Sequence, residues 1–404
     1  MGYLTVSRTL RNAYLLNILA LVGVGVVMVF SSSAIRVVPG ADIDPFVFIK
    51  RHLMFVGLGI AGMAIVARLD YKLWQKFAKP IYLLGLALLV LTLIPGIGTE
   101  FNGARRWLRF GGVGIQPSDF AKLALLVSAA TYAAVRRNEL GSIRRGFLPA
   151  CMFVGIYVVL TMAQPDFGTS LFLAASSFIV LLAGGLRMRH LAIAALIVLP
   201  FASIVMYAKF DHIQDRIVTF LDPAKDPRGK GHQVKQSLIA IGSGGMEGQG
   251  LGNSMQKLYY LPEQETDFIF AVLAEETGFI GSALTLALFV SLMILGTKVA
   301  ARAPDRFGSL LATGITAAIG LQAAINVAVV TASVPTKGIG LPFISFGGSS
   351  CFFYLVGAGL VLSVARKCVS EKEAFALLQQ ELAGERLPES ARRSARARRI
   401  VASS

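Results

Sequence analysis

The sequence predicts an all-α polytopic membrane protein of ten transmembrane helices, with both termini cytoplasmic and a large extracytoplasmic loop between helices 7 and 8. Three observations carry this. Of 404 residues, 55% are hydrophobic and 15% charged, against about 45–50% and about 25% in soluble domains. Ten apolar runs approach the roughly 20 residues an α-helix needs to cross hydrocarbon: 12–33, 53–68, 80–97, 119–135, 147–164, 168–186, 189–208, 268–297, 307–334 and 344–366. Finally, the basic residues gather on alternate connections, as expected where cytoplasmic loops carry the Lys/Arg excess.

That alternation runs the length of the chain. Arg8 and Arg11 precede the first run, and Arg68, Lys72, Lys76 and Lys79 join the second to the third. Arg136, Arg137, Arg144 and Arg145 join the fourth to the fifth, Arg187 and Arg189 the sixth to the seventh, and Lys298, Arg302 and Arg306 the eighth to the ninth. An even number of crossings returns the C-terminus to the side of the N-terminus. The first run is too long for the apolar stretch of a cleaved signal peptide, and reads as an uncleaved anchor. Residues 1–368 form the membrane domain, and 369–404 a flexible, basic cytoplasmic tail suited to anionic lipid or a partner.

The composition also excludes alternatives. Apolar content rules out disorder and a collagen-like chain. The 39 Lys+Arg against 23 Asp+Glu give +16, but in so apolar a chain the excess marks cytoplasmic loops rather than nucleic-acid binding. Cys151, Cys351 and Cys368 suggest neither a disulfide framework nor a metal cluster.

The outward connections break the charge pattern. Residues 98–118 hold Arg105, Arg106 and Arg109 beside Trp107. Either these side chains snorkel to headgroups, or they form an anion site, for which the guanidinium fork is suited. Gln116-Pro117-Ser118-Asp119 follows, with Lys122 one turn further in. That spacing fits an ordinary capped helix carrying an i, i+3 ion pair, while an ionisable group inside a membrane run is by default a functional candidate. Gln164-Pro165-Asp166 forms a tight turn, where Asp166 either caps the sixth helix or faces a polar cavity. The long segment 209–267 holds a short amphipathic or re-entrant helix at 236–245 and the glycines Gly248, Gly250 and Gly252. Asp267 begins the eighth run, with Glu275 eight residues on and on roughly the same helix face, close enough to raise the basicity of Asp267. Lys337 lies in a Pro- and Gly-broken stretch, 335–348, that ends near Ser349. Non-helical backbone at that depth is tolerated only when packed in protein or lining a cavity. Cations, a carboxylate and a lipidic wall on one face suggest chemistry on a lipid-linked phosphate.

Seven stretches, in order, resemble the SEDS proteins (shape, elongation, division and sporulation; the FtsW/RodA type). They are Asn102 to Trp107, Gln116 to Lys122, Gln164 to Ser170, Phe220 to Pro223, 236–245, Leu261 to Gly278 and Pro335 to Ser350. Pro335-Thr336-Lys337-Gly338 resembles the division branch more than the elongation branch. Asp119 stands where Glu is common and Glu265 where His is often seen. The resemblance implies a peptidoglycan glycosyltransferase that polymerises lipid II into glycan strands at the outer face of the bacterial cytoplasmic (inner) membrane, at the division septum. It implies a class B penicillin-binding protein transpeptidase and other division proteins as partners, and a divalent cation, Mg²⁺ or Mn²⁺, bound with the substrate pyrophosphate.

By motif, Asp267 matches the family's essential Asp and is assigned as general base or as a carboxylate holding the metal. Arg105, Arg106, Arg109, Gln116, Ser118, Lys122, Gln164, Asp166, Glu275, Lys337 and Ser349 are the candidates for substrate binding. Two rival readings remain, a lipid II flippase and a non-catalytic scaffold that recruits a transpeptidase. A carrier needs a site near the midplane reachable from both sides, whereas the polar residues here crowd the outer face.

Overall fold

The computed structural model describes residues 3–33, 46–101, 104–110, 113–193, 196, 230–256 and 264–368. Nine of the ten expected runs coincide with helices among these residues. They are α1 (Tyr3–Ser33), α2 (Val47–Arg68), α4 (Ala78–Leu93), α5 (Pro117–Val135), α6 (Leu148–Ala163), α7 (Phe167–Ala183), α9 (Ile269–Arg302), α10 (Arg306–Val330) and α11 (Ser349–Arg366). A short α3 (Lys72–Lys76) leads into α4, and one π-helical turn, Ile143–Phe147, leads into α6. The expected seventh run falls mostly outside the described residues, although 188–193 are helical. The tail 369–404 and the Phe220 to Pro223 motif also lie outside them. Seven helices are long and apolar enough to cross a membrane, and α4 and α7 are apolar but shorter. The chain is thus a multi-pass membrane protein.

The all-α expectation needs one correction. The connection after α4 folds as a three-stranded antiparallel sheet, β1 (Gly98–Phe101), β2 (Ala104–Phe110) and β3 (Val113–Ile115), in the order β1-β2-β3. Glu100 pairs with Arg105, Thr99 with Trp107 and Leu108 with Ile115. Asn102-Gly103 and Gly111-Gly112 stand between the strands, and such dipeptides between alternating residues are hairpin signals. The reading by 20-residue apolar runs passed over strands this short.

A helix is present in the long segment before α9 and starts earlier than expected, as α8 (Lys230–Gly244). The glycine-rich turn after it docks into a break in α9 at Gly278, whose φ of 65° is the left-handed conformation that glycine adopts without steric cost. A helix broken at membrane depth leaves backbone groups that water cannot reach. Here four bonds replace the lost ladder. Gln249 N donates to Glu275 O (2.9 Å), Gly250 N to Glu276 O (3.0 Å), Phe279 N to Gly245 O (2.9 Å) and Ile280 N to Met246 O (3.2 Å). A Cβ on Gly278 would stand 2.4 Å from Gly248 N, so the two backbones approach without room for a side chain.

The helices pack through small residues, as expected where lipid supplies no hydrophobic drive between helices and close backbone approach does the work. α2 and α11 form the most extensive pair. Gly59 and Gly62 of α2 face Leu355 and Val356, while a Cβ on Gly359 of α11 would sit 2.7 Å from Met63 O. Backbone cannot yield as a flexible side chain can. Gly359→Val should therefore cost about 1–3 kcal/mol and lower the melting temperature in detergent, with Gly359→Ala in between. A Val variant melting with the parent would show that the two helices are free to separate.

Candidate functional site

Asp267 sits in the turn 264–268 that leads into α9, and its backbone is held from several sides. Glu265 O accepts from Phe346 N (2.8 Å), Thr266 O from Ser345 Oγ (2.6 Å) and Asp267 O from Asn326 Nδ2 (2.8 Å). Asn326 Nδ2 also donates to Ile339 O (2.8 Å). One amide on α10 thus fastens the Asp267 turn to the broken stretch before α11. One helical turn earlier, Gln322 Nε2 donates to Gly340 O (2.8 Å), and Gln322 Oε1 accepts from Tyr354 of α11. Asn326 is fully buried and Gln322 nearly so. The expected packing of the 335–348 stretch is met, with Leu341, Phe343 and Ile344 in the core. Sequence reasoning missed both amides. Their signal was two polar residues at i, i+4 inside an apolar run, a spacing that shares one helix face.

The carboxylate of the half-buried Asp267 rests against Gly338, where a Cβ would lie 3.2 Å from Oδ2. Lys337, next in the chain, runs its stem past the start of α7. A Cβ on Gly168 would lie 3.5 Å from Lys337 Cδ and 3.8 Å from Asp166 Oδ1. Asp166 caps α7, accepting from Thr169 N (3.1 Å) and Thr169 Oγ1 (2.9 Å). Arg106 Nη1 lies 3.8 Å from Asp166 Oδ2, and Arg106 Nε donates to Gln164 O (3.1 Å). Asp267, Gly338, Lys337, Gly168, Asp166 and Arg106 thus succeed one another along one polar track, contributed by four separate segments.

The three loop arginines do not act as one cluster. The pairs Thr99–Trp107 and Glu100–Arg105 leave Arg106 as the extra residue of a bulge in β2, its side chain engaged with Gln164 O and Asp166, while Ala104 and Leu108 are buried. Arg105 and Arg109 do not join it there. Arg105 Nε lies 3.2 Å from Glu100 Oε2 across the strand pair, and Arg109 is exposed.

Several other candidates are engaged within the bundle. Gln164 is buried, with Nε2 donating to Leu89 O (3.0 Å) and Thr92 Oγ1 (2.6 Å). Lys122 Nζ lies 3.0 Å from Asp119 Oδ1 and 5.4 Å from the centre of the Phe172 ring. Ser349 Oγ donates to Asp119 Oδ2 (2.8 Å) and accepts from Gln116 N (3.1 Å). Ser118 is buried beside this pair, and its hydroxyl lacks a partner among the described residues. The void against Lys122 is about 30 Å³, room for a water and not for a pyrophosphate.

Glu275 is also engaged by protein donors. It is buried, and its carboxylate accepts from Ser254 Oγ, Met255 N (3.0 Å) and Gln256 N (3.4 Å). Its carboxylate therefore holds the 254–256 backbone. Glu276 accepts from Ser31 Oγ of α1 (2.7 Å to each oxygen). Glu275→Ala should strand buried donors at a cost of about 1–3 kcal/mol, lowering the melting temperature and speeding amide exchange across 246–256. Unchanged exchange there would show that the carboxylate does not hold the segment.

The matches to known proteins agree with one another. Residues 12–369 match the family model described as cell cycle protein, FtsW/RodA/SpoVE. Stage V sporulation protein E of Bacillus subtilis (strain 168) is 42% identical over 365 residues, 90% of this chain and 99% of the relative. A protein of Geobacter sp. (strain M18) named probable peptidoglycan glycosyltransferase FtsW is 40% identical over 343 residues, covering 85% and 93% of the two chains. Among solved structures, a chain of a peptidoglycan synthase complex that coordinates polymerization and crosslinking aligns with a TM-score of 0.73 at 28% identity, over 87% of this chain and 96% of that one. The rod shape determining protein RodA of Thermus thermophilus aligns with a TM-score of 0.64 at 28% identity, covering 89% and 97%. This chain belongs to the FtsW/RodA/SpoVE family of cell cycle proteins.

Proposed function

We propose that the chain is a peptidoglycan glycosyltransferase that polymerises lipid II into glycan strands at the outer face of the bacterial cytoplasmic membrane during cell division, with Asp267 as its catalytic carboxylate. In this reading the chain crosses the membrane ten times and keeps both termini cytoplasmic. The sheet, α8 and the Asp267 turn lie on the outer side, at the septum. The observation that carries the assignment is a half-buried carboxylate on a turn held by three successive backbone carbonyls, next to a lysine. Relatives named for this activity support it. A class B penicillin-binding protein is the proposed partner, in keeping with the peptidoglycan synthase complex to which the fold is similar.

The reaction joins the C4 hydroxyl of one sugar to the anomeric carbon of another. The new C–O bond forms as the bond to undecaprenyl pyrophosphate breaks. Asp267 takes the hydroxyl proton, a role worth about 10²–10⁴ in rate for a well-placed general base. The leaving pyrophosphate develops charge, which fixed cations stabilise. Lys337 is the cation placed for this, with Arg106 further along the track. Arg105 and Arg109, on the same strand, would serve the more distant parts of the substrate.

A divalent cation fits this donor set only in part. Among the described residues, no three His, Cys, Asp or Glu side chains group to hold a metal, and Asp267 offers one carboxylate. That suits Mg²⁺, which is commonly held by one or two carboxylates plus substrate phosphates. Such an ion, or Mn²⁺, would offset the charge of the pyrophosphate.

Purified Asp267→Ala and Asp267→Asn, given lipid II and Mg²⁺ or Mn²⁺ in detergent, should lose polymer formation at least 100-fold while still binding lipid II. Polymer at the parent rate would remove Asp267 from the chemistry. Polymerisation by the parent in detergent, where there is no bilayer to cross, also separates an enzyme from a carrier. Asn326→Ala should lower kcat by about 10-fold or more and change KM little, because a misplacement of about 1 Å can cost 10²-fold. A change confined to KM would place Asn326 in substrate binding and not in positioning Asp267.

A further inference from the structure

Away from the Asp267 track, the basic end of the bundle carries a feature that the polymerisation reading does not use. A groove of about 360 Å³ opens between α4, α5 and α6, lined by Lys79, Tyr82, Ser128, Tyr132, Arg136 and Phe153 among others. Its size is that of a ligand site, about 300–1,000 Å³. Lys79 starts α4, Arg136 ends α5 and Pro149, also in the lining, starts α6. The groove therefore sits where three helix ends meet.

We propose that this groove binds the phosphate headgroup of an anionic glycerophospholipid from the leaflet at the basic end of the bundle. Its mouth and its wall differ in the way such a molecule does. Lys79 and Arg136 flank the mouth, and Arg137, Arg144 and Arg145 are exposed on the adjoining turn. Among the described residues no carboxylate pairs with Lys79. Arg136 is partly committed, with Nη1 lying 3.5 Å from Glu139 Oε2 and donating to Arg145 O (3.2 Å). That ion pair is exposed, so it is weak and screened, and a guanidinium has five N–H donors. Deeper in, Tyr132 donates its hydroxyl to Gly146 O (2.8 Å) and Tyr82 donates its own to Phe153 O (2.8 Å). Both tyrosines line the groove, with the Arg136 guanidinium 5.4 Å from the centre of the Tyr132 ring. Beyond the groove lining, Leu83, Leu84, Met152, Ile156 and Val159 are exposed on the same two helices, α4 and α6. Those residues face acyl chains in a membrane-spanning bundle. A soluble anion would use the cations and leave the apolar wall idle, whereas a phospholipid uses both. Basic pockets between helices on the cytoplasmic side are known headgroup sites.

The test compares the full chain in micelles supplemented with phosphatidylglycerol or phosphatidylcholine, read by native mass spectrometry and by melting temperature. Phosphatidylglycerol should remain bound through activation and raise the melting temperature, and phosphatidylcholine should do neither. The variant Lys79→Gln/Arg136→Gln should retain at least five-fold less phosphatidylglycerol. Arg189→Gln, which removes a basic residue outside the groove at the same end, should retain it as the parent does. If the double variant is poorly folded in phosphatidylcholine, the exposed Lys79→Gln alone must still show the drop. Equal retention of the two lipids, retention unchanged in the variants, or an equal loss in Arg189→Gln would each overturn the proposal. So would displacement of the lipid by millimolar inorganic phosphate, which would make this a site for free phosphate.

Discussion

Inside hydrocarbon there is no water to satisfy a broken backbone, so wherever this chain departs from helix its exposed peptide groups must find protein partners. That constraint organises the part of the molecule around Asp267. The break in α9 at Gly278 is closed by the glycine-rich turn after α8. The non-helical stretch before α11 is closed by Asn326, Gln322 and Ser345. The Asp267 turn lies between these two repairs and takes bonds from the second. Its carboxylate is consequently carried on a segment whose position is determined by its neighbours, which is what a site needs if geometry is to contribute to rate.

Charge follows a related economy. A charge away from water is costly unless paired and hydrogen-bonded, and the inner cations obey this. Lys122 pairs with Asp119, and Arg106 with Asp166. The carboxylates inside the bundle answer to backbone or hydroxyl donors, Glu275 to the 254–256 segment and Glu276 to Ser31. Most of the ionisable groups that look conspicuous in the apolar runs therefore work as locks between segments. Lys337 differs in its setting. It lies in non-helical chain, with its stem along Gly168 and the Asp267 carboxylate beside the next residue.

How far the site could be read in the sequence varies by residue. Asp166 as a helix cap and the Asp119–Lys122 pair are each one of two readings that spacing offers, because both are contacts within four residues. The role of Arg106 is not. Whether it meets the same partners as Arg105 and Arg109 depends on how the loop folds, and the bulge in β2 gives Arg106 partners of its own. Glu275 has the right helical phase to support Asp267, but its partners come from residues 254–256, in a different segment. Asn326 and Gln322 were visible as polar residues in an apolar run, yet their partners lie in a loop whose path no local pattern describes.

What the sequence determined by itself is whatever depends on period and composition: the apolar helices, the basic alternation of the loops, the breakers before α11 and the family motifs that single out Asp267. These are local, because a helix in lipid satisfies its own backbone and its length is set by the membrane. Only the tertiary structure decided which breaks are repaired by which segments, which arginine meets Asp166, and which carboxylates serve as locks. Such pairings join residues far apart in the chain, as Gln116 meets Ser349 and Asn326 meets Asp267. They exist only once the helices have packed, since the buried donors and acceptors that select them are created by that packing.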